Sequence, residues 1–494
     1  MAIDSELSAP VPDLLDMPAA GPTAIRGSLL RTAGYLVGIL LSLVAVPLLF
    51  AHLGDANYGR YTIVIAMVTV VQGVTDVGLG QIGVREYATR SGSDRDRLMR
   101  NLLGVRIVLT TVGVSLAVAF AALANYGHAV LLGTVAAGVG MVLAVAQGTF
   151  ALPLAARLKL GWVTALDLLR QVLSVAGIVI LVLVGAGLLP FLTISVPVGL
   201  IVLAATLVLV SGTMPMRPGF ERAEWSPLIR AVLPFAAAIV VATLYLRITV
   251  VLASLLTTHK QIGYYGISFQ VISVLIGIPA LTVGSTLPIL ARAARDDQDR
   301  LGYVLARLFE VMLIVGVGLG LALALGAAFV IHVLTAGKGA PAVVVLQIQS
   351  LAILTQFVGS AAGYGLLALR RYRAMLVITA IGLFVSVGLT FALVPILQAR
   401  GAAAAFTAGE VVVMTLSFAF LRLAPGHGRL TARVPARVLL AALVAGCVIL
   451  VPGLTSFSEA AIAGVVYIGV LVASRAIPIE LAHALLRRAP PSSP

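Results

Sequence analysis

Polar residues interrupt this chain at nearly regular intervals. From residue 29 onward, apolar runs of one helix-crossing length alternate with short polar breaks. An unbroken apolar stretch of about 18 to 20 residues suffices to carry a helix across the hydrocarbon core of a bilayer. Such stretches lie at 29–51, 61–83, 102–124, 129–151, 164–186 and 190–211. A polar break, "GTMPMRPGFERAEWSPLIR", fills 212–230. A second series follows at 231–256, 264–290, 303–334, 342–369, 374–397 and 402–421, and a last pair at 438–455 and 459–477. The pattern predicts an all-α polytopic membrane protein of about 14 transmembrane helices, arranged as six, six and two.

The expected domains follow these runs. Residues 1–27 form a polar N-terminal tail, 28–211 an N-lobe, 212–230 a linker, 231–422 a C-lobe, 423–477 the last two spans with the loop before them, and 478–494 a C-terminal tail. The two six-span series also resemble each other. "NYGRY" at 57–61 precedes the second span and "QIGYY" at 261–265 the eighth, an offset of 204 residues. Six is an even number, so both series start on the same side. They read as parallel repeats related by an axis along the membrane normal, two lobes about a central cavity.

Composition agrees with the pattern. The 494 residues are 60% hydrophobic and 11% charged, with a mean hydropathy of +1.10, outside the range of soluble globular chains. The single cysteine, Cys447, excludes an intramolecular disulfide and a cysteine-based metal cluster. With both termini placed in the cytoplasm, 23 of the 33 basic residues fall in cytoplasmic segments and four in outer loops. That bias sets the orientation. It also accounts for the net charge of +14 without nucleic acid, which would need the charge gathered on one folded face. The N-terminal tail, with four acids and no basic region ahead of an apolar core, reads as a disordered cytoplasmic segment followed by an uncleaved signal anchor.

The charges inside the spans are the candidate chemistry. Gln72, Asp76 and Gly80 fall at i, i+4 and i+8 and so share one helix face, which should meet protein or water. A carboxylate at membrane depth costs about 2.5 to 3.5 kcal/mol and is kept where it has a role or a partner. Asp76 is thus a gating or coupling candidate, or a structural acid paired with an arginine near the cytoplasmic edge. Arg247 lies 16 residues into the seventh span, too deep to reach back easily to the side from which that helix enters. Its planar guanidinium suits a phosphate oxygen pair; the alternatives are an ion pair with Glu410 or another acid, or snorkelling outward. Glu410, central in the twelfth span, and Glu310, seven residues into the ninth, are candidates to carry a coupling H⁺ or Na⁺. Glu310 has a competing partner in Arg307 at i−3. Asp167 and Arg170 read as a structural pair. Arg31 and Arg106 lie near the cytoplasmic edge, where snorkelling is the default, and Arg31 alternatively lines a vestibule.

No motif supports soluble enzyme chemistry: there is no phosphate-binding glycine loop, no paired histidine ligands at metal spacing and no nucleophile elbow. One N-terminal motif does carry a resemblance. The L-G-x-x-x-Y-G-x-Y segment (Leu53, Gly54, Tyr58, Gly59, Tyr61) and the D-x-G-L with a following R-E (Asp76, Gly78, Leu79, Arg85, Glu86) resemble the start of the polysaccharide transporter family. These are the oligosaccharide flippases of the multidrug/oligosaccharidyl-lipid/polysaccharide (MOP) superfamily, and the six-six-two layout extends the resemblance along nearly the whole chain. It implies a non-enzymatic protein of the bacterial inner membrane, without cofactor. Such a protein moves a polyprenyl-diphosphate-linked oligosaccharide from the cytoplasmic to the periplasmic leaflet by alternating access, for polysaccharide biosynthesis, with a polymerase or glycosyltransferases as further partners. Under the resemblance Arg247, and less directly Arg31 and Gln72, hold the headgroup, while Asp76 is a gating or pairing group. Two rival readings are a cation-coupled multidrug antiporter of the same superfamily and a non-transporting scaffold of a polysaccharide synthesis complex.

Overall fold

The computed structural model describes residues 20–76, 78–157, 159–211, 217–423 and 433–476; most of the two expected tails and part of the linker lie outside them. Where described, the chain is helical. In order, the helices are α1 (Ala20–Asp76), α2 (Leu79–Thr89), α3 (Gly92–Leu123), α4 (Gly127–Phe150), α5 (Leu152–Ala156), α6 (Leu160–Leu183), α7 (Leu188–Thr193) and α8 (Ser195–Leu209). Then come α9 (Arg222–Leu256), α10 (His259–Asp296), α11 (Gln298–Thr335), α12 (Ala342–Ala368), α13 (Tyr372–Leu397), α14 (Ala399–Arg422), α15 (Arg433–Gly446) and α16 (Ser456–Ala473). Helices satisfy their own backbone groups, which lipid cannot do.

Among the described residues thirteen stretches are long and apolar enough to cross a membrane, and one of them, Leu36–Asp76, has 41 residues. At 1.5 Å per residue that is about twice the thickness of a hydrocarbon core. Gly54, at φ 72°, ψ 172°, breaks it, in a backbone region that only glycine occupies readily. The stretch therefore makes two crossings, and the total is fourteen.

The chain forms two compact units, and they exchange segments. One comprises residues up to Leu48 together with Val71–Ile239; the other comprises Leu49–Val70 and Val240 onward. The division thus falls inside α1 and inside α9, not at the expected linker end at residue 230. The cause is visible at α3. Gly219 N–H donates to the Arg100 carbonyl at 2.7 Å, and Glu221 N–H to Oδ1 of the fully buried Asn101 at 2.8 Å. Arg97 pairs with Glu221 at 2.6 Å, and Arg90 with Glu86 and Glu224. Exposed ion pairs add little, but the buried amide needs its partner, so the linker and the start of α9 are held to the first unit.

Within the first unit α4 packs on α3 and α8, and α6 on α8, around Phe150, Leu166 and Val202. Within the second, α12 packs on α11 and α14, and α13 on α14. The same neighbours recur six spans later, as the repeat predicts. The last pair, α15 and α16, packs on α11, with Tyr467 Oη donating to the Ile314 carbonyl at 2.9 Å.

The second unit also contains the two segments that mark the repeat, and they touch. A Cβ on Gly59 would collide with the carbonyl oxygen of His259, and one on Gly263 with that of Asp55. Asp55 Oδ2 accepts from Tyr264 Oη at 3.0 Å and pairs with Lys260 Nζ at 3.2 Å. Tyr58 is buried between Phe50 and Tyr61, its ring centroid 5.0 and 6.1 Å from theirs.

Candidate functional site

The second unit holds a buried carboxylate at mid-span. Glu410 is the twelfth of the 24 residues of α14, and it is 2% exposed. It lines a cavity of about 240 Å³ between α9, α12, α13 and α14, whose other polar walls include Tyr245, Gln356, Ser360, Thr379 and Ser417. Tyr245 and Gln356 stand beside its carboxyl group. Tyr265 and Gln349 form a second buried polar pair in the same unit. Around the cavity the helices are clamped. Thr249 on α9 bonds Ser386 on α13 at 3.1 Å, and the Tyr245 ring stacks on Phe406 at 6.4 Å.

Arg247 sits at the same relative position, the twelfth of 21 residues in the crossing Ala236–Leu256 of α9. Two residues beyond Tyr245, it is turned roughly 200° around the helix. Its guanidinium lies over the Phe269 ring of α10, 5.2 Å from the centroid, and Phe269 stacks on Tyr265 at 5.7 Å. Among the described residues no carboxylate pairs with Arg247, Glu410 included. A cation on an aromatic face keeps its charge while losing some water, so the guanidinium edge stays available to an anion.

In the first unit the charges are matched instead. Asp76 ends α1, and α2 begins after Gly78, which has φ 80°. Arg106 on α3 pairs with Asp76 Oδ1 at 2.5 Å and donates to Thr149 at 3.1 Å. The Arg106 side chain is 9% exposed and that of Asp76 47%. The expectation that Arg106 snorkels to the edge is overturned, because its guanidinium turns inward to the carboxylate. Gln72, one turn before Asp76, has an exposed side chain. Arg170 donates to Gln147 Oε1 at 2.5 Å, and Gln147 in turn to Thr206 at 3.0 Å. Arg31 lies on α1, with its side chain outside the described residues.

Glu310, on α11 of the second unit, is buried and bonded to Arg307 at 2.7 Å, the local partner its spacing allowed. The structure thus brings Glu410 together with Tyr245 and Gln356, which sequence reasoning passed over. Nothing in the periodicity of α9 or α12 marks those two as facing an acid on α14. Arg106 had left a signal, since it and Asp76 lie a few residues from the same edge of neighbouring spans.

Residues 52–344, more than half of the chain, match the family described as Polysaccharide biosynthesis protein. Among solved structures the chain is similar to a lipid II flippase, MurJ, in an inward closed conformation. The TM-score is 0.72 at 13% identity, covering 93% of this chain and 100% of that one. It is also similar to a multidrug resistance MATE family transporter of the MOP superfamily in an inward-facing conformation, with a TM-score of 0.63, 13% identity, and 80% and 97% coverage. A third similarity is to a MOP superfamily transporter from Pyrococcus furiosus, with a TM-score of 0.53, 14% identity, and 81% and 95% coverage. No curated protein sequence matches this chain. At these identities the likeness establishes the fold, which is the one these transporters share.

Proposed function

The chain belongs to the polysaccharide biosynthesis protein family, and from that premise we propose that it is a flippase of the bacterial inner membrane. Its substrate is a polyprenyl-diphosphate-linked oligosaccharide, carried from the cytoplasmic to the periplasmic leaflet by alternating access. The observation that carries this reading is Arg247: a guanidinium at mid-span, seated on Phe269, with no carboxylate among the described residues to neutralise it. A diphosphate supplies the missing charge, and Arg247 can meet two of its oxygens at once. The lipid tail stays in the bilayer while the headgroup crosses.

Glu410 is the coupling group in this proposal. A carboxylate buried among neutral polar side chains, with no cation beside it among the described residues, is costly, and binding H⁺ or Na⁺ removes that cost. Asp76 and Glu310 are dropped from the coupling role because each already holds an arginine.

The test is translocation of a fluorescent polyprenyl-diphosphate oligosaccharide in proteoliposomes, with an imposed pH or Na⁺ gradient. Arg247→Ala should abolish movement, and Arg247→Lys should retain a part of it. Transport unchanged in Arg247→Ala would remove the anion-binding role. Movement of a cationic drug but of no lipid-linked sugar would favour the antiporter, for which the buried Glu410 also speaks. A scaffold would complement a deletion strain even as Arg247→Ala.

A further inference from the structure

The turn between α12 and α13 carries a second concave site, which shares no lining residue with the Glu410 cavity. Its volume is about 530 Å³, and Arg370, Arg371 and Arg373 stand on its wall. Arg371 Nη2 donates to the Leu423 carbonyl at 3.5 Å. Among the described residues none of the three forms an ion pair, whereas Arg90, Arg97, Arg106 and Arg307 each have a carboxylate. Three arginines thus line one concavity, with no counter-charge among the described residues.

The rest of the wall is formed by Tyr372 and the apolar Ala374, Val377 and Phe420. Arg373, Val377, Ile381 and Phe384 recur at helical spacing and share one face of α13. Val377 is 46% exposed, Ile381 39% and Phe384 74%. The cluster therefore opens onto an exposed apolar stripe that begins where the charge ends. Tyr372, exposed beside it, is of the residue type found at headgroup level.

We propose that this is a binding site for an anionic glycerophospholipid. The phosphodiester sits among Arg370, Arg371 and Arg373, and an acyl chain lies along Val377, Ile381 and Phe384. Phosphate oxygens match forked guanidinium donors, and basic pockets at a membrane surface select anionic headgroups. A free phosphate would use the arginines and leave the stripe unused; a zwitterionic lipid would bring a cation of its own to a site that already carries three.

The full-length chain, purified and stripped of lipid, is titrated by native mass spectrometry with phosphatidylglycerol, phosphatidylcholine of the same acyl chains, and glycerol phosphate. Phosphatidylglycerol should bind most tightly, and glycerol phosphate should fail to displace it. Arg370→Gln/Arg373→Gln, which spares the Arg371 bond, should weaken phosphatidylglycerol by roughly 30-fold, the combined loss of two interfacial arginines. Arg292→Gln/Arg300→Gln removes the same charge from another basic segment and should leave affinity unchanged. Undiminished binding in the first variant, an equal drop in the second, or displacement by glycerol phosphate overturns the proposal. Should the first variant fail to fold, Val377→Glu places a carboxylate one turn from Arg373 and should compete with the lipid; unchanged affinity there overturns it too.

Discussion

Asp76 stops a helix and at the same time neutralises an arginine on its neighbour. Removing the carboxylate as Asp76→Asn leaves Arg106 in place with a neutral partner, which should lower stability by about 1.5 to 3 kcal/mol, the range of a hydrogen bond to a charged group. Denaturant unfolding in detergent measures it. Asp76→Asn/Arg106→Gln should recover part of the loss, and strictly additive effects would show that the pair is uncoupled. The face that Gln72 and Asp76 share was legible from a four-residue spacing. The partner 30 residues away was legible only in part: Asp76 and Arg106 lie near the same edge of neighbouring spans, which allows an arginine partner, but periodicity within one helix does not say which residue of the next one faces it. Glu310 is the reverse case, its partner Arg307 lying three residues off. Glu410 lies between these: its depth was readable, its neighbours Tyr245 and Gln356 were not. Glu410→Gln should bind the lipid-linked substrate but transport it with no response to an imposed gradient, as a flux assay would read.

At the scale of elements, the glycines of the N-terminal motif have separate tasks. Gly54 turns the chain between two crossings, and Gly59 lets α1 lie against α10. Gly54→Ala places a methyl group on a backbone that disfavours it, at about 1 to 3 kcal/mol, and should lower the melting temperature. Gly263→Val should do so as well, since its side chain would meet the Asp55 backbone. Both effects are read by thermal unfolding followed with intrinsic fluorescence. Sequence reasoning found "NYGRY" and "QIGYY" as counterparts in a repeat. Their contact was hidden, because likeness at an offset of 204 residues reports a shared ancestor or shared constraint and carries no information on proximity.

For the molecule as a whole, the fourteen crossings and the duplicated neighbour pattern follow from apolar run lengths, which the bilayer thickness leaves little freedom to vary. The boundary between the compact units follows from side-chain detail, and so departs from the polar linker that composition picks out. Asn101 and the glutamates draw residues 217–239 to the first unit, while the glycine contact draws Leu49–Val70 to the second. Each half of the sequence thus lends a piece to the unit built mainly from the other. If the gene were divided within codons 212–216, neither product would own a complete unit. Made separately, the two fragments should be degraded; made together, they should find each other and accumulate, because the borrowed segments act as reciprocal addresses between them.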